Sequence, residues 1–129
     1  MKAAALIVGV LRETYPEETR VAATPLVVPQ LHALGLDVVL EAGAGERAGF
    51  PDARYEDHGA RIVDRAEALG ADIVLQIRTY PANPEVGRPD LSLHRPGQVV
   101  IGLADPFGGL RQIGELAELG VTLFAMRRR

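Results

Sequence analysis

The amino-acid sequence predicts a doubly wound, mostly parallel α/β sheet, and three observations carry this prediction. Short apolar runs rich in β-branched residues recur along the chain, and each is bounded by glycine, proline or charged residues. Segments with the apolar spacing of a helix lie between these runs. The runs are continuously apolar, which is typical of parallel strands covered on both faces. Strands that alternate with short helices imply right-handed crossovers, and a doubly wound sheet follows from them.

One strand is predicted for each apolar run, at residues 6–10, 38–40, 62–63, 73–77, 99–101 and 121–124. Helices are predicted between them, at residues 25–34, 53–58, 64–69 and 110–119. The first helix has Thr24 as its candidate N-cap and Pro25 at its first position. A glycine follows each helix as a candidate C′ residue, and these are Gly35, Gly59, Gly70 and Gly120. Residues 79–97 are irregular and rich in proline, and they are predicted to form a surface connection.

Composition and charge narrow the classes of function. The 129 residues fit one domain, and 47% hydrophobic with 24% charged residues is the balance of a folded globular protein. A formal net charge of -3 argues against nucleic acid as a partner. The sequence contains no cysteine, which excludes a disulfide framework and a cysteine zinc site, and no metal site is predicted. No apolar segment approaches the about 20 residues that span a bilayer, so a cytoplasmic location is expected.

A glycine motif follows the second predicted strand. Residues 43–48 (GAGERA) satisfy the pattern G-x-G-x-x-[GA], and Asp64 lies downstream at the spacing of a ribose-binding acid. A pyrophosphate loop needs a helix that begins within the glycines, and residues 49–51 (GFP) interrupt any such helix. The fingerprint is also expected after the first strand of its unit. Gly43 and Gly45 are therefore interpreted as part of a tight turn rather than as cofactor-binding residues.

The loop after the first predicted strand carries the candidate site. Residues 12–25 run from the carboxyl end of a strand to the start of a helix, which is the edge where open α/β sheets bind ligands. An arginine at this edge, Arg20 above all, can bind a carboxylate or a phosphate through two parallel hydrogen bonds. The alternative is a surface ion pair with Glu13, Glu17 or Glu18, and spacing alone favours that alternative.

The same loop resembles a known family. Residues 9–13 (GVLRE) and 18–25 (ETRVAATP) are similar to the N-terminal signature shared by alanine dehydrogenases and the alpha subunits of NAD(P) transhydrogenases. The AATP ending is closest to the transhydrogenases. Further similarity follows in order along nearly the whole chain, at residues 41–45, 71–75, 96–98 and 121–126. The resemblance implies a flavodoxin-like sheet of the kind found in the catalytic domains of formate and glycerate dehydrogenases.

The resemblance also implies roles for single residues. In alanine dehydrogenases an arginine at the position of Arg20 holds the substrate carboxylate, and a lysine stands where this chain has Arg78. A catalytic histidine stands where this chain has Asp105. A carboxylate cannot replace a neutral imidazole as donor and acceptor at neutral pH, so Asp105 argues against chemistry on pyruvate. Arg20, Arg12, Arg78 and Asp105 are predicted to line a substrate or cofactor cleft, and no catalytic residue is assigned.

For function, the resemblance implies the N-terminal part of the NAD(H)-binding component of a proton-translocating NAD(P) transhydrogenase, in which hydride passes between NAD(H) and NADP(H). Residues 1–126 are predicted to form this domain, and 127–129 a basic tail at which the parent is truncated. The implied partners are the remainder of the alpha subunit, the NADP(H)-binding beta subunit, a membrane domain and a second copy in a homodimer. The implied location is cytoplasmic and peripheral to the inner membrane, through the partner subunits.

Further expectations concern the isolated chain and the rival functions. NAD(H) is the implied cofactor of the intact parent, whereas the chain alone is predicted neither to bind NADH nor to catalyse hydride transfer. An apolar surface meant for a neighbouring domain is predicted to limit its solubility. Two other hypotheses stay open: a non-catalytic, flavodoxin-like module that binds a carboxylate or a partner, and a fragment of an alanine dehydrogenase.

Overall fold

A computed structural model describes residues 5–105 and 109–126 of the chain. Its strands are β1 (Ile7–Val10), β2 (Asp37–Glu41), β3 (Arg61–Val63), β4 (Ile73–Arg78), β5 (Val99–Leu103) and β6 (Thr122–Met126). They form one sheet in the order β3-β2-β1-β4-β5-β6, and every pairing between these described strands is parallel. Without the short edge strand β3, the order is that of a flavodoxin-like sheet. The predicted fold class is therefore confirmed.

Helices connect the strands close to the predicted positions. They are α1 (Val27–Ala33), α2 (Asp52–Asp57), α3 (Arg65–Leu69) and α4 (Leu110–Glu118). Short 3-10 helices lie at Glu46–Ala48, Tyr80–Ala82 and Arg88–Leu93. The side chain of Asp64 caps α3, because its carboxylate accepts a 2.8 Å hydrogen bond from the Glu67 amide. Asp64, which has the spacing of a ribose-binding acid, is thus engaged in a helix cap.

Two predicted helix boundaries are wrong. Thr24 does not cap α1 with its side chain, because residues 24–28 first form tight turns in which the Val27 amide donates to the Thr24 carbonyl. The helix begins two residues later than predicted, so Pro25 precedes it. Gly70 was predicted to be a C′ residue, but its φ of -83° is not left-handed. The glycines after the other helices have φ between 79° and 101°, and only there does the helix end need a left-handed residue: Gly35, Gly59 and Gly120.

Two buried layers flank the sheet. Because successive strand residues point to opposite faces, Val38 and Leu40 of β2 lie on one face and Val39 on the other. The first layer joins α1 and α2 to the Val38 face and consists of Val10, Ala23, Val28, Val38, Leu40, Ala44, Tyr55 and Ala60. The second layer joins α3 and α4 to the Val39 face and includes Leu11, Val39, Val63, Ala68, Leu69, Val74, Val100, Leu116 and Val121. Helices on both faces complete the doubly wound arrangement.

Half of the first face is uncovered in the part of the chain that the structure describes. Leu75, Ile101 and Phe124 stand side by side on β4, β5 and β6, on the face that α1 and α2 cover over the neighbouring strands. A groove of about 270 Å³ runs over Leu75 and Ile101 and ends at Met126. Phe124 is 58% exposed and Met126 59% exposed. An open apolar sheet face therefore extends from β4 to the edge strand β6.

The proline-rich connection was predicted to lie on the surface, but its first residues are buried. Thr79, Tyr80 and Asn83 are buried. The Thr79 hydroxyl donates to the Leu103 carbonyl at 2.7 Å, and the Asn83 amide donates to the Thr14 hydroxyl at 2.9 Å. The start of the connection is buried because these polar groups find partners on β5 and on the loop after β1.

Candidate functional site

The site lies at the point where the winding direction of the sheet reverses. Strands β1 and β4 are neighbours, but the chain leaves β1 toward β2 on one side and β4 toward β5 on the other. The loops that follow two such strands diverge and leave a crevice at their carboxyl ends. The loop after β1, residues 11–26, borders this crevice and carries two of the four predicted site residues, Arg12 and Arg20.

Arg20 is paired with Glu18 in a two-point contact. Its Nε donates to Glu18 Oε2 at 2.9 Å, and its Nη2 donates to Glu18 Oε1 at 2.8 Å. The Arg20 backbone amide also donates to this carboxylate, at 3.2 Å. The Glu18 side chain is only 7% exposed, whereas that of Arg20 is 56% exposed. Hydrogen bonds from Arg20 lower the pKa of Glu18 to about 2, so the carboxylate is ionised at neutral pH.

Arg78, at the end of β4, joins the same cluster. Its Nε lies 3.5 Å from Glu18 Oε1, and its guanidinium carbon lies 3.9 Å from the ring centroid of Tyr15. The side chain is 20% exposed. A cation over an aromatic face is stabilised by the negative electrostatic potential of the ring. One buried carboxylate and one aromatic ring thus flank the Arg78 guanidinium beside Arg20, although the buried Nε of Arg78 has no hydrogen-bond partner among the described residues.

Glu13 holds the backbone at the same strand end. Its two carboxylate oxygens accept hydrogen bonds from the amides of Ile77 and Arg78, each at 2.9 Å. The pairing of β4 with β5 shifts register between Leu75 and Arg78, so the local ladder is irregular. Burial raises the pKa of Glu13 above its ordinary value, and the charge of Glu18 adds to this effect, although the two backbone hydrogen bonds oppose it.

The other predicted residues, Arg12 and Asp105, lie at the same edge of the sheet. Arg12 is exposed, and its backbone amide donates to the Glu41 carboxylate at 2.9 Å. Asp105 is exposed and follows β5, and its carbonyl accepts from the Gly109 amide at 2.8 Å. The structure therefore brings Arg20 and Arg78 into one cluster and places Arg12 and Asp105 at the same carboxyl edge of the sheet; a cleft lined by all four stays a prediction.

The glycine motif has internal partners. The Gly43 amide donates to the Asp52 carboxylate at 2.9 Å, and the helix that follows spans only Glu46–Ala48 before Gly49 adopts a φ of 90°. A Cβ on Gly45 would lie 2.6 Å from the Tyr55 ring. The glycines therefore serve a tight turn packed on Tyr55, as the interruption by Pro51 led us to expect. Their lack of a cofactor role stays a prediction.

Sequence reasoning did not find the two acidic residues that organise the cluster. From the sequence, Glu18 and Glu13 were predicted only as two of three alternative ion-pair partners for Arg20. Spacing cannot separate them, because the choice depends on how the loop folds: Glu17 adopts a φ of 67° and is exposed, while Glu18 turns inward. The available signal was the density of acidic residues in a loop at the ligand-binding edge.

Metal binding and membrane insertion find no support in the described segments. Among residues 5–105 and 109–126, no three or more acidic or histidine side chains are grouped as a metal ion would require. None of the helices in these segments is long and apolar enough to cross a membrane.

The fold and the arginine-lined crevice define a doubly wound α/β domain with a candidate ligand site where its winding reverses. Residues 9–128 match the family model of the alanine dehydrogenase/PNT N-terminal domain. This chain belongs to that family, and the resemblance predicted from the sequence is confirmed.

Individual relatives agree with this assignment. The NAD(P) transhydrogenase subunit alpha of Cereibacter sphaeroides is 37% identical over 92% of this chain. A transhydrogenase structure from Sinorhizobium meliloti is 40% identical over 95% of the chain, with a TM-score of 0.84. A structure of L-alanine dehydrogenase is 26% identical over 93%, with a TM-score of 0.83. The chain spans only 22%, 36% and 32% of the lengths of these three proteins.

Proposed function

We propose that the chain is the N-terminal part of the NAD(H)-binding component of a proton-translocating NAD(P) transhydrogenase and forms one wall of its NAD(H) cleft. The observation that carries this proposal is the similarity to a transhydrogenase structure at 40% identity and a TM-score of 0.84 over 95% of the chain. The Arg20, Glu18 and Arg78 cluster at the reversal point of the sheet supports a ligand-facing role for this wall.

The residues of this chain do not fit the pyrophosphate of a dinucleotide. A pyrophosphate loop offers free backbone amides at a helix start, but the Gly43 amide is bonded to Asp52 and Gly45 is packed on Tyr55. The proposal therefore places the pyrophosphate site in another part of the component. It assigns no step of hydride transfer to the residues of this chain. The cluster contributes orientation and local charge, because the guanidinium groups of Arg20 and Arg78 flank the ionised carboxylate of Glu18 at the crevice.

The remaining assignments follow from the same proposal. Residues 1–126 form the family domain and 127–129 a basic tail. Arg12 and Asp105 border the cleft beside Arg20 and Arg78. The partners are the remainder of the alpha subunit, an NADP(H)-binding beta subunit, a membrane domain and a second copy of the component. The domain lies in the cytoplasm, peripheral to the inner membrane.

A domain exchange tests this function. The chain replaces the matching segment of the Cereibacter sphaeroides alpha subunit, and hydride transfer from NADH to an NADP analogue is measured with the beta subunit present. We expect clear transfer, because the chain is 37% identical to this subunit over 92% of its own length. An exchange that carries the corresponding alanine dehydrogenase segment is the matched control. A folded hybrid that binds NADH but transfers no hydride contradicts the proposal.

A carboxylate-binding module is the second candidate, and one observation favours it. The contact with Glu18 shows that the Arg20 guanidinium can bind a carboxylate through two parallel hydrogen bonds. The alternative hypothesis of an alanine dehydrogenase fragment also needs a group at position 105 that both donates and accepts a proton. The carboxylate of Asp105 does not do this as the imidazole of a histidine does. NMR titration of the chain with acetate and pyruvate, read at the Arg20 side chain, separates this candidate from the first. Saturable binding together with an inactive hybrid selects it.

A further inference from the structure

Arg78 lies where two buried carboxylates meet, and each contacts a different part of it. Glu13 contacts its backbone amide at 2.9 Å, and Glu18 lies 3.5 Å from its Nε. Neither carboxylate is used by the proposed function as a ligand contact. Buried carboxylates are costly unless they are hydrogen-bonded, so their retention beside one arginine needs an explanation.

Glu13 fixes the strand end on which Arg78 stands. The register of β4 against β5 shifts between Leu75 and Arg78. Both oxygens of Glu13 accept amides there, from Ile77 and Arg78. A glutamine at this position has only one acceptor oxygen, so it satisfies one of these two amides and presents a donor to the other.

Glu18 lies beside the guanidinium group of Arg78. It accepts three hydrogen bonds from Arg20 and lies next to the Nε of Arg78, while the Tyr15 ring covers the Arg78 plane at 3.9 Å. The carboxylate lies between two cations that otherwise repel each other. Because Glu18 is 7% exposed, water screens these interactions less than at a surface pair.

We infer that Glu13 and Glu18 are positioning residues that set the orientation of Arg78 in the cleft, Glu13 through the backbone and Glu18 through the side chain. The inference rests on the proposed function, in which this edge faces NAD(H). It deepens that function by assigning the geometry of the arginine-bearing wall to two acidic residues that do not contact the ligand.

The first arm of the test uses the 129-residue chain and no ligand. Hydrogen exchange of the Nε–H groups of Arg20 and Arg78 is followed by NMR in wild type, Glu18→Gln and Glu18→Asp. We expect the Arg20 Nε–H to exchange roughly tenfold faster in Glu18→Gln, because its two-point charged contact is lost. The Arg78 Nε–H is expected to exchange faster as well, because the carboxylate charge 3.5 Å from it is removed, and Glu18→Asp, which keeps the charge, is expected to give intermediate rates. Glu17→Gln removes the same charge from an exposed neighbour and is expected to leave both rates unchanged.

The second arm uses the domain exchange described above. Glu18→Gln and Glu13→Gln are expected to raise KM for NADH roughly three- to tenfold and to change kcat by less than about twofold, because they disturb a binding wall rather than the reacting groups. Glu17→Gln keeps the wild-type values, and Glu18→Asp recovers part of the loss.

The two arms separate failure of the inference from failure of the function. Unchanged Nε–H exchange of Arg78 in a folded Glu18→Gln chain overturns the inference, whatever the activity. An unmutated hybrid without hydride transfer overturns the proposed function, and the exchange rates then still decide whether Glu18 holds Arg78. Equal KM increases in Glu17→Gln and Glu18→Gln also count against the inference, because they reflect loop charge alone.

Discussion

The phenol of Tyr55 donates a 2.7 Å hydrogen bond to the backbone carbonyl of Ala23. Tyr55 lies in α2 and is completely buried, and Ala23 lies near the end of the loop that carries Glu18 and Arg20. Burial raises the pKa of the phenol to about 12, so it is protonated and can donate at neutral pH. This single bond ties the site loop to the helix layer beneath it.

Tyr55→Phe is expected to lower the free energy of unfolding by about 1–2 kcal/mol, because the buried Ala23 carbonyl loses its partner. Urea unfolding followed by circular dichroism measures the change. Tyr15→Phe is the control, since it keeps the ring that covers Arg78 and alters only a partly exposed hydroxyl. The control is expected to stay within about 0.5 kcal/mol of wild type. Equal stability of wild type and Tyr55→Phe would show that the carbonyl finds another donor.

Gly45→Ala is expected to destabilise the chain strongly. The added Cβ would lie 2.6 Å from the Tyr55 ring and 2.8 Å from the Phe50 carbonyl oxygen, and neither group can move freely. We expect a loss of about 2–4 kcal/mol, as for other overpacked core positions. Gly114→Ala is the matched control, because it faces open space in α4 and is expected to stabilise by about 0.5–1 kcal/mol. A tolerated Gly45→Ala would contradict the packing role of this glycine.

Much of the fold follows from local sequence, because its cause is local. Each predicted apolar run became a strand, since runs rich in β-branched and aliphatic residues, such as residues 73–77, suit the pleated and largely buried surface of a parallel sheet. Gly70 and Thr24 were misjudged because helix ends depend on where the chain must go next, and composition does not encode that direction. Burial of Thr79 and Asn83 was missed because their partners, Leu103 and Thr14, are distant in sequence.

The sequence predicts at which edge of the sheet the candidate residues lie, but not which of their side chains pair. Arg20 could be placed at the carboxyl edge of the sheet from the order of strand, loop and helix alone. The partnership of Arg20 with Glu18 and the role of Glu13 could not, because both depend on side-chain direction within an irregular loop. The left-handed Glu17, at a φ of 67°, turns the next residue inward, and propensity gives little warning of such a conformation.

Stability is expected to depend on Glu18 in acid. Its pKa is lowered from 4.5 to about 2, so its ionised form stabilises the folded state fully above pH 4.5, and this contribution disappears as pH falls toward 2. The shift corresponds to about 3 kcal/mol, reduced to about 1–2 kcal/mol because Arg20 is half exposed. Wild type should therefore lose this much more than Glu18→Gln between pH 5 and pH 2 in urea titrations. Parallel pH profiles for the two proteins contradict the prediction.

The chain alone is expected not to bind NADH. The Gly43 amide, which would face a pyrophosphate in a dinucleotide loop, is bonded to Asp52, and the helix after it has a single turn. Fluorescence titration should show no saturation in the micromolar range, and Asp52→Ala should not create any. Saturable binding that Asp52→Ala strengthens would restore the glycine motif as a phosphate site.

The open sheet face is expected to drive weak self-association of the chain. Phe124 and Met126 stand on an edge strand that carries no charge or proline between residues 122 and 126, and within residues 5–105 and 109–126 no other element covers this face or edge. Sedimentation velocity should show a mean mass that rises with concentration in wild type, and the double variant Phe124→Lys with Met126→Lys should remain monomeric. Leu34→Lys is the matched control, because Leu34 is 75% exposed but lies at the end of α1, away from this face. A wild-type chain that stays monomeric at high concentration, or a Leu34→Lys chain that loses association equally, contradicts the assignment of this surface.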